Sequence, residues 1–163
     1  MASDYLLEID GIKGESIDKK FPGAMEIESF SWGVTNAGSF SMGTGGGAGK
    51  ASLQDFHLTT NLSKASPVLM QKCTTGEHIP KACLHIRKQG GGKDGSQLEY
   101  YTWKFDKLII TSFQTGGSGG SPLPTEQISF NFAGIEINYF TQDDKGVLSS
   151  PTIFKWDQRT KAS

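Results

Sequence analysis

Apolar and polar residues alternate with a period of two along most of this chain, which is the spacing of half-buried β-strands. The alternation predicts strands over 5–12, 26–34, 51–60, 82–88, 98–105, 107–113, 127–140 and 152–156. About eight strands suffice to close a barrel or to pack two sheets. The segment 63–75 breaks the pattern. Ala65, Leu69 and Cys73 recur every four residues, with Met70 beside Leu69, and form one helical stripe. Ser63 or Ser66 can cap its start, Pro67 suits a first turn whose N–H groups lack partners, and Gly76 can end it. One short helix is too little for an α/β layer, so it is expected to plug or flank a β-barrel.

A second feature of the pattern concerns shape. In the run from Ile128 to Tyr139 the large apolar residues hold even positions through Phe132 and odd positions from Ile135. One face stays buried across that change only if the strand bulges or bends at Ala133 and Gly134. A strand that turns a corner does this, which favours a small, strongly twisted barrel over a flat sandwich. Asp143-Asp144-Lys145-Gly146 supplies a hairpin turn into the last strand. The glycine-rich 116–122 precedes one long strand and a short hairpin, too little for a separate core, and so reads as a loop of the same domain. A single domain is expected over 1–158, with 159–163 as a loose tail.

Composition agrees with a chain of many reversals. Glycine supplies 21 of 163 residues, near twice the average of about 7%, and glycine serves turns and close backbone approaches better than helices. The formal net charge of -1 leaves no electrostatic footprint for nucleic acid or for an acidic membrane surface. No apolar run approaches the roughly 20 residues that span a bilayer. The first residues, Met1 to Leu7, lack the basic start and long apolar stretch of a secretory signal. Synthesis and folding in the cytosol are therefore expected, and any export must use a route that ignores the N-terminus. Cys73 and Cys83 are too few for a disulfide framework and read as free thiols.

The tract Gly43-Thr44-Gly45-Gly46-Gly47-Ala48-Gly49-Lys50 invites a phosphate-loop reading. That loop needs its first glycine five residues before the Gly-Lys pair and a hydroxyl after the lysine, where this chain has Thr44 and Ala51. A strand, not a helix, is expected after Lys50, so no helix N-terminus would face a phosphate. The glycines of 90–95 match a dinucleotide fingerprint only formally, because a strand again follows where a helix must open. Cys83 and His85 could share a strand face, yet no Cys-x-x-Cys or His pair completes a tetrahedral metal site. No nucleophile elbow is present. Asp143 and Asp144 point apart on a turn. Trp32, Trp103 and Trp156 could form a stacking platform, but each lies in an alternating strand where a core tryptophan is the simpler account. No cofactor and no catalytic group are implied.

Several segments, taken in order, resemble the Hcp family, the hemolysin-coregulated proteins that form the inner tube of the bacterial type VI secretion system. They are Gly11-Ile12-Lys13-Gly14-Glu15-Ser16, Ser29-Phe30-Ser31-Trp32-Gly33, 45–50 with Asp55, Ser66-Pro67 through Cys73, Ile86-Arg87-Lys88, 115–120, and Asn131-Phe132-Ala133 through Tyr139. Two positions depart from the family pattern: Gly134 stands where relatives carry a longer side chain, and Lys155 precedes Trp156 where a glycine is common. The resemblance implies a mainly β subunit, a small twisted β-barrel with one flanking α-helix, assembled as a hexameric ring. Rings would stack into a hollow tube, meet sheath and spike proteins, carry effectors in the lumen, and be secreted without a signal peptide. A phage-type tail-tube protein, or a monomeric β-barrel binding carbohydrate or another small ligand, are the alternatives.

Two sets of residues follow as candidate sites. A glycine-rich arm can lie close to a neighbour's backbone, so Met42, Gly43, Gly45, Gly46, Gly47, Gly49 and Lys50 are expected to form a ring-stacking loop. Phe30, Trp32 and Val34 share the face assigned to the core, which turns Ser29 and Ser31 outward as candidates for the lumen wall.

Overall fold

The computed structural model describes residues 3–38, 50–88 and 97–162. The chain forms β1 (Ser3–Ile9), β2 (Met25–Ser31), β3 (Val34–Asn36), β4 (Ala51–Leu53), β5 (Phe56–Asn61), α1 (Ser66–Thr75), β6 (Ile79–Lys88), β7 (Leu98–Gly116), β8 (Thr125–Tyr139) and β9 (Thr152–Asp157). Neighbours in the main sheet run β5-β2-β1-β6-β7-β8-β9, and β5 also pairs with β8. The second pairing closes β5, β2, β1, β6, β7 and β8 into a barrel, with β9 hung on its outside and β3–β4 forming a separate two-stranded sheet. All pairings are antiparallel.

Several expected strands divide or fuse for identifiable reasons. The strand expected over 26–34 breaks after Ser31, and Val34, assigned from its parity to the core, lies half exposed on β3 instead. That over 51–60 breaks between Leu53 and Phe56. The two strands expected over 98–105 and 107–113 are one, because Lys107 takes a left-handed φ of 53° and the chain passes on without losing its partner. A β-bulge between Ile27 and Ser29 shifts the inward set of β2 from Met25 and Ile27 to Phe30.

Strand β8 organises the rest. Along one edge it pairs with β7 throughout; along the other its first half pairs with β5 and its second half with β9. Ala133 and Gly134 lie where β8 exchanges one partner for the other. The inward residues change from Phe132 to Ile135 there, and those of β7 change from Phe105 to Leu108 at the same level. The two strands turn together: Phe105 opposes Ile135 and Leu108 opposes Phe132 with no slip between them.

The barrel interior is aromatic. Phe56, fully buried, stacks on Phe130 at 5.1 Å and meets Phe105 edge-on at 4.9 Å and Trp103 at 5.6 Å. Each such burial contributes on the order of 1.5–3 kcal/mol. Helix α1 packs Ala65 and Leu69 against this core, while Met70 lies exposed beside the stripe. No side chain caps its start. The Ser66 hydroxyl accepts the Ser63 N–H, the Ser63 hydroxyl accepts the Ala65 N–H, and Ser66 Oγ donates to the buried carboxylate of Glu126 at 2.6 Å. Gly76, with φ 69°, closes the helix as expected. Residues 159–162, expected to trail freely, turn back on β9: Asp157 N–H donates to the Ala162 carbonyl, and Arg159 bonds Asp106 and Asp157.

Candidate functional site

The barrel wall has two chemically different sides. On one, strands β2, β5, β8 and β7 lie side by side, and the positions between their inward residues face out. Two cross-strand rows result: Ser31, His57, Ser129 and Ser112, and beside it Ser29, Thr59, Gln127 and Gln114. Neither row contains an Asp, Glu, Lys or Arg. The hydroxyls bond one another, with Ser112 Oγ and Ser129 Oγ 2.5 Å apart and Thr111 Oγ1 2.9 Å from Ser129 Oγ. Asp55, at the rim, accepts from Thr111 at 2.7 Å and from Asn131 at 2.8 Å. The result is a polar band without carboxylates or amines in its two rows, in which the Thr111, Ser112 and buried Ser129 hydroxyls share hydrogen bonds while Ser29, Ser31, His57, Gln114 and Gln127 lie at the surface.

The other side is charged. One row crosses five strands as Glu8, Cys83, Lys104, Glu136 and Lys155, and it lines a cavity of about 730 Å³. Beside it His85 is clamped between two carboxylates, with Nε2 2.7 Å from Glu8 and Nδ1 2.6 Å from Glu99, and its ring stacks on Phe21 at 4.0 Å. Burial alone would lower the imidazole's pKa. The neighbouring Cys83 sulfur and the Glu99 carboxylate outweigh it, and the value rises from 6.5 to about 10. Glu99 shifts the opposite way: burial would raise its pKa, but the bonds from His85 and Thr102 hold it below the usual carboxylate range. Of the two partners named for His85, Glu99 at 2.6 Å is the stronger, because a sulfur at 3.9 Å is at the limit of contact. Two residues on in β6, Arg87, with only 4% of its side chain exposed, bonds Asp18 at 2.7 Å and Asp4 at 3.2 Å. The Arg87 guanidinium lowers Asp18 to about 2. Together the Phe21–His85 stack and the Asp18–Arg87 pair fasten the loop between β1 and β2 onto the charged side.

The structure thus places Ser29 and Ser31, exposed, at the β2 end of that band. Lys50 is exposed immediately before β4; Met42, Gly43, Gly45, Gly46, Gly47 and Gly49 lie outside the described residues. Ala133 and Gly134 sit at the partner exchange of β8, away from that band, and a Cβ on Gly134 would touch Asp106 Cβ at 3.4 Å. The three tryptophans form no common platform: Trp103 is core, while Trp32 is half-buried and donates Nε1–H to the Gln54 carbonyl at 2.8 Å. Among the described residues no group of three or more His, Cys, Asp or Glu side chains is arranged to hold a metal ion. Sequence reasoning missed His57, Thr59, Gln127 and Ser129. Their signal was present as the polar phase of two alternating strands, but only the pairing shows that they adjoin Ser29 and Ser31.

Comparison with known proteins agrees with this architecture. The family model described as "Type VI secretion system effector, Hcp" matches residues 6–139. Protein hcp1 of Pseudomonas aeruginosa is 39% identical over 160 residues, covering 98% of this chain and 97% of that protein. A solved type six secretion system protein superposes with a TM-score of 0.88 at 29% identity, covering 99% of both chains. Hcp1 from Salmonella typhimurium gives a TM-score of 0.81 at 28% identity, again over 99% of each. With a family match across most of its length, a relative at 39% identity end to end, and the same barrel, this chain belongs to the Hcp family of the type VI secretion system.

Proposed function

We propose that this tube subunit closes with five identical copies into a ring whose uncharged band faces the central channel. Rings stack into a hollow conduit that meets sheath and spike proteins, carries effector proteins inside, and leaves the cell with them. The observation that carries the reading is the contrast between the two sides of the wall: two rows free of ionisable carboxylates and amines on one, a five-strand charged row on the other. A conduit needs an inner surface that wets but does not grip. Fixed charges would hold a cargo of opposite sign and exclude one of like sign, whereas neutral hydroxyls and amides exchange hydrogen bonds with water and offer a cargo only weak contacts. The role asks for no reactive group: the work is done by the shape of the assembly.

Sedimentation of the purified protein tests the ring directly. The expected species has six times the chain mass of 17.6 kDa; a species of one or two chain masses at every concentration would reject it. Orientation is tested separately by Ser31→Glu, expected to leave the ring intact and to reduce effector co-purification. Unchanged retention would remove Ser31 from the channel wall.

A further inference from the structure

Hydrogen-bond accounting leaves one strand of the main sheet with an open edge among the described residues. β1, β2, β5, β6, β7 and β8 each pair on both sides, whereas β9 pairs only with β8. Along β9 the backbone groups alternate in direction. Gln158 N–H turns inward to the Ala133 carbonyl, and Asp157 N–H turns outward, where the returning chain end supplies the Ala162 carbonyl. By the same alternation Ile153 and Lys155 present their N–H and C=O groups outward. Their side chains lie exposed as well, Ile153 at 55%. An exposed, partly apolar sheet edge is a template for another strand or surface.

Charge indicates what meets it. From Thr152 to Ala162 the chain carries Lys155, Arg159 and Lys161 against Asp157; Arg159 is taken up by Asp157 and Asp106, which leaves Lys155, across from Glu136, and Lys161 as the cations of the edge. On the far flank of the same sheet, three strands away, lies a cavity of about 350 Å³ lined by Asp4, Asp18, Glu26 and Glu28, with Arg87 as its one cation. Arg87 already serves Asp4 and Asp18, and its buried Nε has no acceptor. Glu26 and Glu28 are exposed, and β2 and β5 contain neither lysine nor arginine. The basic edge and the acidic trough lie on different flanks of one rigid barrel, so they meet only between copies.

We propose that the β9 edge of one copy docks on the acidic trough between β1 and β2 of the next, with Lys155 facing Glu26 and Glu28, and that this head-to-tail contact closes the ring. The proposal rests on the ring reading above and specifies its interface. An edge contact adds a neighbour beside the sheet, perpendicular to the strands, and a contact between two different patches of the same chain is the head-to-tail kind that closes into a ring.

Charge reversal with compensation tests it in the full-length protein. Lys155→Glu is expected to raise the protein concentration at which rings half-dissociate at least tenfold, with the circular dichroism spectrum unchanged. Adding Glu26→Lys and Glu28→Lys to the same chain is expected to restore that concentration to within about threefold of the parent. Rings of Lys155→Glu that dissociate like the parent overturn the assignment, and so does a compensated chain no better than the single variant. Lys155→Pro deletes one outward donor without touching the β8 pairing and is expected to weaken rings likewise. Should the parent itself form no rings, the ring reading fails first. Should the parent form rings that ignore all three changes, only the interface fails.

Discussion

The His85 clamp gives a quantitative expectation. His85 bridges Glu8 and Glu99 across three strands and carries the Phe21 ring, so it couples the β1–β2 loop to the sheet. Its pKa in the folded protein is about 10, against an ordinary 6.5. A folded value above the unfolded one means that the stabilisation is fully present below pH 6.5 and disappears as pH climbs through 10. At about 1.4 kcal/mol per pH unit the whole displacement would correspond to roughly 5 kcal/mol. Glu8 is half exposed and screened by water, which reduces the stabilisation to about 2 kcal/mol. His85→Gln keeps the size and loses the charge. Urea unfolding of parent and variant at matched concentration should therefore show a gap of about 2 kcal/mol at pH 6 that shrinks toward zero by pH 10.5. A gap that is constant across that range, or that widens, would refute the clamp.

Other expectations are simpler to read. Phe56→Ala removes the ring at the centre of the aromatic core and should lower stability by about 3–5 kcal/mol in thermal or urea unfolding. Gly14→Ala would place a Cβ 2.6 Å from the Ala24 carbonyl oxygen and 2.8 Å from Met25 Cα, both backbone atoms. It should cost about 1–3 kcal/mol, and a neutral outcome would show that the β1–β2 loop yields. Excision of 45–49 should leave hexamers and abolish tubes in electron micrographs; unchanged tubes would remove the glycine tract from stacking.

Much of this was legible before any coordinates. The period-two alternation located the barrel strands because each has a single buried face, and the period-four stripe of Ala65, Leu69 and Cys73 located the helix because nothing else in the chain repeats that way. The break at Trp32-Gly33 was not legible, since Val34 keeps the parity of Phe30 and Trp32 and only the departure of β3 from the sheet exposes it. Lys107 was misleading for a related reason. Its parity change reads as a boundary between strands, but one left-handed residue absorbs the change while the pairing with β8 continues. The candidate channel wall was half visible. Ser29 and Ser31 follow from one strand's alternation, but His57, Thr59, Gln127 and Ser129 join them through pairings 26 to 72 residues apart in sequence, which no local pattern encodes. The His85 clamp and the Arg87 tie are likewise products of register, invisible until β1, β6 and β7 are laid side by side.

The account rests on copies of this barrel enclosing an open channel, and end-on negative-stain images of the purified protein test it most directly. Annular particles with six-fold symmetry and a stain-filled centre are expected. Solid particles, or isolated barrels at every concentration imaged, would contradict it.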